Sequence, residues 1–354
     1  MHWTIAAPFF TPKSLVTDPW LDSFVPGNRH SFSKIPRQES LAAQSWHNRS
    51  SRTTQANEWF GYWQQSGSAW QSTRGGVITV FPQLASMVGI RKRFSRKDVP
   101  IIAWCFNLGA LYPGLKQTLS RFALKEVDKF VVHSRRECET LSDWLRMPRE
   151  KFEFVPLQRG VIPVLETEDI ENPFILAMGS ANRDYQTFFD AVEPLGIPTV
   201  VVAGQHAINH LKIPDNVKIL SGLTTEECYR LAQKARLNVI PLKDTATGAG
   251  QVTLIENMRM SRPVVATRCV GTEDYVQHGT TGLLVEPYSA SSLADSIAQV
   301  WADSSFRNRL AKEASTYAAA NFSDEIVGSR LGKILDNFEE RSHHADAFPQ
   351  PSSY

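Results

Sequence analysis

The sequence predicts an α/β protein built from two domains, each with a parallel sheet covered by helices. Short, nearly continuous apolar runs of strand length alternate with helix-like segments along most of the chain. This alternation is typical of parallel sheets whose strands are buried on both faces. It stops near residues 158–172 and then starts again. A length of 354 residues also fits about two domains of ordinary size.

The first domain is predicted over residues 1–163. Its strand-like runs are, in order, HWTIAAPF, GVITVFP, VPIIAWCF, DKFVVHS and KFEFVPL. Residues 18–75 have little periodicity and are rich in Trp, Gln, Ser and Arg, so we expect an irregular insertion there. Six of the nine tryptophans lie in the first 70 residues. They either fill a small core, which we favour, or stack on sugars and apolar chains.

The second domain is predicted over residues 172–325. Its strand-like runs are PFILAMG, PTVVVAG, NVKILSG, LNVIPL, RPVVAT and GLLVEP, with helix-like segments between most of them. A C-terminal helix is expected over residues 326–340. The polar segment that follows, residues 341–354, is expected to be a disordered tail.

Charge is distributed unevenly along the chain, although the net charge is only +2. Residues 1–165 hold 22 Lys and Arg against 12 Asp and Glu, and the remainder holds 16 against 24. The basic half either faces an anionic partner, such as lipid phosphate, a membrane surface or an acidic glycan, or complements the acidic half across a cleft. No nucleic-acid motif is present, so we expect no nucleic-acid partner.

The sequence favours a cytoplasmic protein. Its four cysteines are scattered without metal-binding spacing, which suits a reducing compartment. The start, MHWTIAAPFF, lacks the features of a signal peptide. The longest apolar stretch, from Val99 to Leu115, is interrupted by Asn107, Gly109 and Pro113 and is too short to span a bilayer.

A glycine loop, TGAGQVT at residues 247–253, lies between an apolar strand and a helix. It is a near match to the dinucleotide fingerprint, with Gly248 and Gly250 in place but Thr253 at the third glycine position. That mismatch argues against a nicotinamide dehydrogenase. Glycines let backbone N–H groups approach a phosphate, and the helix start attracts negative charge. The loop is therefore either a phosphate or sugar cradle or a plain tight turn.

The segment LIENMRMSRPVVATRCVGTEDYVQHGTTGLLVEPYSASSLADSIAQVWAD resembles glycosyltransferase family 4. The resemblance extends from about residue 173 to residue 305. The first domain resembles the family only in its layout of strands, in the loop at residues 99–109 and in its end, VVHS through FVPLQRG. The resemblance implies the GT-B fold, two Rossmann-like domains facing a cleft, and a retaining enzyme that uses a nucleotide sugar.

The resemblance also assigns donor-site roles. Two glutamates eight residues apart mark the family. Glu256 corresponds to the second, which binds the ribose diol, a task that suits two carboxylate oxygens. The first falls at Gly248, so that carboxylate is missing. The donor sugar is then left to Ala249, Gly250 and Gln251, or to Asp244 or Thr247 reaching in.

A second donor segment, MGSANRDYQTFF, follows the first strand of the second domain. The family places a basic pair here on the donor phosphates. Arg183 stands at the second position, and Ser180 replaces the first. Arg183 either clamps the leaving diphosphate or is a surface arginine, and Gly179 allows close backbone approach. Glu273 and Asp274, further along, are expected to have a structural role such as charge at a helix N-terminus.

In the first domain, Asn107 follows a strand, and we expect it either to contact the sugar or acceptor or to cap a turn. We expect Arg135 and Arg136 either to bind an acceptor phosphate or to be ordinary arginines at a helix start. The segment RKRFSRK, residues 91–97, carries five basic residues, and it is expected either to lie on anionic lipid or to form a solvated loop. Arg183 and Asn107 are the predicted catalytic residues.

The sequence therefore predicts a hexosyltransferase that moves a sugar from a nucleotide diphosphate, UDP favoured and GDP possible, to a glycan or lipid-linked acceptor with retention. No Asp-x-Asp motif is present, so no metal or other cofactor is expected. The basic domain allows peripheral contact with the inner face of the cell membrane. The alternatives are a non-catalytic nucleotide-sugar-binding relative that lacks the acid at Gly248, and a nucleotide-sugar epimerase of the same fold.

Overall fold

Two separate six-stranded sheets organise the chain, and both are wholly parallel. The computed structural model describes residues 1–17, 19–37, 54 and 56–347. The first sheet has the order β2-β1-β3-β4-β5-β6. Its strands are β1 (His2–Ala6), β2 (Ser31–Ile35), β3 (Gly76–Val80), β4 (Ile101–Trp104), β5 (Lys129–Val132) and β6 (Phe152–Phe154).

The second sheet has the order β12-β11-β10-β7-β8-β9. Its strands are β7 (Ile175–Met178), β8 (Thr199–Val202), β9 (Val217–Leu220), β10 (Leu237–Ile240), β11 (Val264–Thr267) and β12 (Leu283–Val285). The strands of the two sheets lie inside the predicted ranges 1–163 and 172–325. The expectation of two parallel-sheet α/β units is confirmed.

Helices cover both sheets, and most follow a strand directly, as right-handed crossovers between parallel strands require. They are α1 (Ser14–Thr17), α2 (Ala56–Ser72), α3 (Pro82–Arg93), α4 (Leu115–Leu124), α5 (Arg135–Leu145), α6 (Tyr185–Val192), α7 (Thr225–Lys234), α8 (Gln251–Arg259), α9 (Ala290–Ala302), α10 (Ser304–Phe322) and α11 (Asp324–Ala347). Among the described residues, no helix is long and apolar enough to cross a membrane.

The strands are short and apolar because both of their faces are buried. Every residue of β3, β4, β10 and β11 is buried. Each sheet reverses its strand order once. In the second sheet the chain leaves β7 toward β8 and β9, then returns to pair β10 on the other side of β7. Such a reversal opens a crevice at the carboxyl ends of the two central strands.

The prediction of an irregular insertion over residues 18–75 is wrong for the described part of that range. Strand β2 extends the first sheet beyond β1, and α2 packs against β1. The buried stripe of α2 is made of Gly61, Gln65, Ser66, Ala69 and Trp70. Such small and polar residues carry almost no hydrophobic period, which is why the sequence did not reveal the helix.

Gln65 explains how a polar residue is accommodated in that stripe. Its side-chain amide donates to the carbonyl oxygens of Ala7 at 2.8 Å and Ile35 at 2.9 Å. It thus joins the ends of β1 and β2. The expectation that the early tryptophans fill a core is confirmed for Trp3 and Trp70, which are buried, and is wrong for Trp59 and Trp63, which are exposed. Trp46 lies outside the described residues.

The C-terminal helix is longer than predicted. Helix α11 continues to Ala347, so the expected disordered tail is wrong for residues 341–347, and residues 348–354 lie outside the described part. A polar segment such as residues 341–347 predicts a tail, but extending an existing helix costs little for residues such as Arg and Ala. Although α11 follows the second domain, its residues Val327, Leu331 and Leu335 pack in the core of the first.

Replacing Leu331 with alanine tests this crossing. Leu331 is fully buried in a cluster with Trp3 and Trp104, so Leu331→Ala is expected to lower the free energy of unfolding by about 2–5 kcal/mol. Urea unfolding followed by tryptophan fluorescence measures it. Lys333→Ala, on the exposed side of the same helix, should stay within about 0.5 kcal/mol of the parent. Equal midpoints for both variants would contradict the packing.

Candidate functional site

The loops at the carboxyl ends of the two sheets meet directly across the cleft between the domains. The loop after β10 contacts the loop after β4. The Thr247 hydroxyl donates to the Gly109 carbonyl oxygen at 2.7 Å, and the Asn107 amide nitrogen donates to the Gly248 carbonyl oxygen at 2.9 Å. Asn107 also caps its own turn, since its Oδ1 accepts from the Gly109 N–H at 2.7 Å. The turn-cap alternative for Asn107 is therefore confirmed, and its contact with sugar or acceptor stays a prediction.

Glu137 in the first turn of α5 is a cleft residue that the sequence analysis missed. It is buried, and its Oε1 accepts from the Gly248 N–H at 2.9 Å and from the Asn107 amide at 3.2 Å. Burial raises the pKa of this carboxyl to about 7, against the opposing effect of the Gly248, His133 and Ser134 N–H groups. The available signal was the Ser134-x-x-Glu137 spacing, which was not distinguished from an exposed helix start.

The glycine loop is held tightly on both sides. Gly250 has φ of 82° and a Cβ there would lie 2.7 Å from Leu242, so only glycine suits this turn. A Cβ on Gly248 would overlap the side-chain amide of Gln251, and a Cβ on Gly271 would overlap the backbone of Ala249. Backbone atoms therefore form the surface of the loop, and α8 begins immediately after it at Gln251.

Arg183 lies beside this loop and is buried, which rules out the alternative of a surface arginine. Its guanidinium donates to the Met178 carbonyl oxygen at 2.9 Å, the Ala181 carbonyl oxygen at 3.1 Å and the Thr253 hydroxyl at 3.2 Å. It also lies against Gly179, whose missing Cβ makes room for it. Arg183 thus joins the loop after β7 to the first turn of α8.

The charge of Arg183 is not balanced by a neighbouring carboxylate. Among the residues that the structure describes, it forms no ion pair, and its hydrogen-bond acceptors are neutral. Burial lowers its pKa. Ser180, the other predicted phosphate residue, instead accepts from the Gly204 N–H at 2.8 Å and so supports the end of β8.

Glu256 lies one turn further along α8. Its Oε1 accepts from the Arg159 Nε at 3.1 Å and the Tyr229 hydroxyl at 2.9 Å. The Glu256 side chain is 16% exposed. Arg159 belongs to the segment that links the two domains, and neither it nor Tyr229 was expected at the site. The two donors fix the orientation of the carboxylate in the crevice.

Arg135 and Arg136 pair with acids of the second domain. The Arg136 guanidinium lies 2.6 Å from Glu273 Oε2, and Arg135 Nε lies 3.4 Å from Asp274 Oδ1. Asp274 Oδ2 also accepts from the Ser134 hydroxyl and the Arg135 N–H, each at 2.8 Å. A carboxylate of one domain therefore caps a helix of the other, which is the helix-terminal role expected for this acidic pair. At this point the basic half complements the acidic half across the cleft.

Tyr275 adds a buried contact between the domains. Its hydroxyl donates to the His133 carbonyl oxygen at 2.7 Å and accepts from the Leu157 N–H at 3.0 Å. Burial lowers the pKa of the His133 imidazole to about 4, and one ring nitrogen lies 2.7 Å from the Val155 carbonyl oxygen. His133 is therefore neutral at physiological pH and has a structural place.

With this geometry in view, comparison with known proteins decides the family. A model described as "Glycosyl transferases group 1" matches residues 172–303. Over 267 residues the chain is 31% identical to the lipopolysaccharide core biosynthesis glycosyltransferase LpsE of Rhizobium meliloti, covering 69% of this chain and 78% of that protein. The chain belongs to the group 1 glycosyltransferases.

The other matches agree in fold and differ in extent. Alpha-D-kanosaminyltransferase of Streptomyces kanamyceticus is 29% identical over 120 residues, 34% of this chain, and that match spans only 30% of the relative. Sucrose-phosphate synthase of Thermosynechococcus elongatus aligns with a TM-score of 0.70 at 15% identity, covering 96% and 100% of the two chains. Anabaena Alr3699/HepE, solved in complex with UDP-glucose, aligns with a TM-score of 0.66 at 16% identity, covering 95% and 100%. The GT-B fold of this glycosyltransferase is thereby confirmed.

The cleft acid should make the glycosyltransferase less stable as pH rises. Because the pKa of Glu137 is raised to about 7, the folded protein holds its proton more tightly than the unfolded chain, where such a group titrates near about 4.3. That stabilisation is complete below the unfolded pKa and is lost as pH rises through the folded pKa. Wild type should therefore lose stability relative to Glu137→Gln between pH 5 and 8, by at most about 1.4 kcal/mol per pH unit.

Thermal unfolding of both proteins across that range measures the difference. Glu139→Gln, an exposed change on the same helix, is the matched control and should differ from wild type by a constant amount. A constant difference for Glu137→Gln as well would mean that Glu137 is already ionised in the fold at pH 5.

Proposed function

We propose that this protein is a retaining hexosyltransferase of the family 4 type, which transfers a sugar from a nucleotide diphosphate to a glycan or lipid-linked acceptor. The observation that carries the proposal is the buried Arg183 between Gly179 and the first turn of α8. Its charge is not matched by any carboxylate among the described residues. The donor diphosphate supplies the missing negative charge.

The argument from Arg183 is energetic. A buried cation is costly unless an anion and good hydrogen bonds accompany it. Helix N-termini favour anions, because their first N–H groups have no partners within the helix. Arg183 bonds to Thr253 in the first turn of α8, so both sources of positive potential converge on one place at the crevice. A diphosphate suits that place better than a neutral ligand does.

Glu256 supports a nucleotide over a simple phosphate ester. Its carboxylate lies on α8 one turn beyond Thr253 and is oriented by Arg159 and Tyr229. Two carboxylate oxygens match the adjacent hydroxyls of a ribose. We favour UDP, because the structurally similar HepE was solved in complex with UDP, and we keep GDP as the alternative nucleotide.

The proposed reaction is a substitution at the anomeric carbon. The acceptor oxygen attacks on the face that the diphosphate leaves, the bond from carbon to the phosphate oxygen breaks, and its electron pair remains on the diphosphate. The acceptor proton moves to that same leaving oxygen, so no separate base is needed. Arg183 and the start of α8 stabilise the charge that develops there, and the proposal needs no metal ion for this role.

The acceptor is assigned to the first domain. Asn107 presents its amide in the cleft, and a groove of the first domain is lined by three arginines, two glutamates and two phenylalanines: Arg135, Arg136, Arg149, Glu139, Glu153, Phe152 and Phe154. Both Arg135 and Arg136 are already engaged with Asp274 and Glu273, so they guide an anionic acceptor rather than clamp it. The similarity to a lipopolysaccharide core glycosyltransferase supports a glycan acceptor built on a lipid.

A non-catalytic sugar-nucleotide-binding protein is the second candidate. Gly248 favours it, because the loop lacks the side-chain acid that the resemblance leads one to expect there. Turnover separates the two: the transferase releases free UDP or GDP from its sugar nucleotide when acceptor lipid or glycan is added, whereas the binding protein does not.

Nucleotide binding by two variants tests the donor site. Among UDP, GDP, ADP, CMP and NAD, UDP or GDP should raise the stability of wild type by roughly 2.7 kcal/mol at about 100 times its dissociation constant. Glu256→Ala should weaken binding of the nucleotide and of its nucleoside alike. Arg183→Lys should weaken the nucleotide about 10- to 100-fold, since hydrogen bonds to charged groups are lost, and leave the nucleoside unchanged.

Calorimetry for the nucleotide and ligand-observed NMR for the nucleoside supply these affinities. Glu313→Ala, exposed on α10, is the control and should bind as wild type does. If no nucleotide stabilises wild type at millimolar concentration, the donor-site assignment is wrong. If Arg183→Lys keeps its full nucleotide affinity, the arginine only braces the two loops.

The membrane-facing surface proposed for the first domain differs from the basic segment expected at residues 91–97. Arg91 stacks on Trp63 with 3.7 Å to the ring centroid, and Lys92 lies 2.9 Å from Asp128. These cations serve the fold. The exposed apolar residues of this surface lie mainly on α4, with Leu115 at 74%, Leu119 at 57% and Phe122 at 43%, and only Phe94, at 77%, belongs to residues 91–97.

This surface combines a helical stripe with surrounding positive charge. Leu115, Leu119 and Phe122 recur at helical spacing, and the Phe94 ring lies near the Phe122 ring, tilted by 49° with 6.5 Å between the centroids. Lys116, Arg121 and Lys125 flank the stripe in sequence. An apolar stripe bordered by basic residues suits an anionic lipid surface, where each basic residue adds about 1 kcal/mol.

Vesicle binding tests that surface. Wild type should sediment with vesicles that contain phosphatidylglycerol, and much less with neutral phosphatidylcholine vesicles or at high salt. Leu119→Asp should reduce binding to the anionic vesicles at least several-fold. Val161→Asp, at an even more exposed apolar position in the linker segment, should not. Equal loss in both variants would mean that α4 is not the contact.

A further inference from the structure

The position next to Gly248 is filled by the side-chain amide of Gln251 and is bordered by an acid from the other domain. Glu137 Oε2 lies 3.5 Å from the point where a Cβ on residue 248 would be. Its Oε1 accepts from the Gly248 N–H at 2.9 Å. The space that a side chain at position 248 would enter is therefore bordered by a carboxylate of α5, across the cleft from its own loop.

We propose that Glu137 is the acidic residue of the donor-sugar site, presented by the first domain to a hydroxyl of the transferred sugar beside Gly248. This inference rests on the proposed function, because it places the sugar between the glycine loop and the first domain. It makes Glu137 a specificity-determining residue that recognises the sugar, whereas Glu256 and Arg183 recognise the nucleotide.

Capping of α5 does not by itself account for the position of Glu137. The carboxyl group does interact with the His133 and Ser134 N–H groups at the helix start, but Asp274 also serves that start by accepting from the Ser134 hydroxyl and the Arg135 N–H. A capping side chain needs no contact outside its own helix. Glu137 receives further hydrogen bonds from Asn107 and Gly248, which belong to two other loops at the cleft.

The surroundings of Glu137 also suit an acid that accepts hydrogen bonds from a ligand. A buried carboxylate is costly unless several donors reach it, and no Lys or Arg forms an ion pair with it among the described residues. Its partners there are an amide and backbone N–H groups, which are neutral. A sugar hydroxyl is a further neutral donor, and a buried carboxylate is a strong acceptor for it.

Two domains then complete one sugar site. Because the acid and the glycine loop belong to different domains, the carboxylate reaches the sugar only when the cleft is closed, as it is in this structure. Recognition of the sugar is thereby coupled to closure over the nucleotide. An acid carried on the loop itself would give no such coupling.

The test compares sugar nucleotides with the bare nucleotide. UDP, UDP-glucose, UDP-galactose, UDP-N-acetylglucosamine, GDP and GDP-mannose are titrated into wild type, Glu137→Gln and Glu137→Ala. The preferred sugar nucleotide should lose about 10- to 100-fold in affinity in both variants, while the bare nucleotide keeps its affinity. Glu139→Gln should behave as wild type in every titration.

Moving the acid to the loop provides a second readout. Gly248 does not have a positive φ, and the group in the way of a side chain there is the flexible amide of Gln251. Glu137→Ala combined with Gly248→Glu should therefore recover at least several-fold of the lost sugar-nucleotide affinity. A merely structural role of Glu137 would not be rescued by an acid on a different domain.

Several outcomes overturn the inference. Equal loss of the bare nucleotide and the sugar nucleotide in Glu137→Gln would make Glu137 a brace for the loop. So would failure of the double variant to regain affinity while its fold is intact by circular dichroism. If wild type binds a bare nucleotide but no sugar nucleotide more tightly, the acid has no sugar partner. If wild type binds no nucleotide at all, the proposed function itself fails.

Discussion

The reversal of strand order between β7 and β10 is the constraint on which the rest of the site depends. It leaves two loops, after Met178 and after Ile240, with no crossover helix between them. The loops are then joined by backbone bonds: Asp184 N–H donates to the Pro241 carbonyl oxygen at 3.1 Å, and Lys243 N–H to the Asn182 carbonyl oxygen at 3.0 Å. Arg183 sits inside that joint, and α8 starts from the second loop.

Among the described residues, charged groups near this joint are paired at the surface and unpaired in the interior. Around the cleft, partly exposed carboxylates and guanidiniums form pairs, such as Arg136 with Glu273. Two buried charged groups have no such pair within the part of the chain that the structure describes: the hydrogen-bond acceptors of Arg183 and the hydrogen-bond donors of Glu137 are all neutral there. Surface ion pairs contribute little to stability. A buried unpaired charge destabilises the free protein, and a ligand that brings the opposite charge or a hydrogen bond removes that destabilisation. The free energy of burying these charges therefore favours binding of the ligand.

The sequence was sufficient for the parallel sheets because their strands are buried on both faces and so appear as apolar runs. It was insufficient for α2, whose buried stripe centres on Gln65 and glycine, and for the end of α11, which has no apolar face. Local motifs also placed Arg183, Glu256 and Gly248 at the loops and helix that follow strands of the second sheet, and their binding roles stay predictions. Glu137 and Arg159 were missed because their contacts depend on how the two domains meet. The one local signal, the Ser134-x-x-Glu137 spacing, indicates a helix start and not a contact between domains.

The chain passes between the domains twice, and both passages lie at the same edge of the cleft. Apolar packing holds the domains together at that edge, whereas polar contacts join them at the mouth. The link from β6 to β7 and the start of α11 run side by side, with the Arg159 N–H bonded to the Phe322 carbonyl oxygen at 2.9 Å. From there α11 is anchored in the first core by Val327 and Leu331. Apolar packing at that edge would cost several kcal/mol to disrupt.

Across the cleft mouth the contacts are of another kind. They are hydrogen bonds and ion pairs, such as Thr247 to Gly109 and Ser134 to Asp274. Water can replace each of them at a net cost of about 0.5–1.5 kcal/mol. Opening for a donor therefore requires exchange of polar partners at the mouth and leaves the apolar edge intact. Glu137, a carboxylate of the first domain, then loses its bond to the Gly248 N–H when the cleft opens and regains it when the cleft closes. A residue whose partner changes in this way is well placed to couple recognition of the sugar to closure.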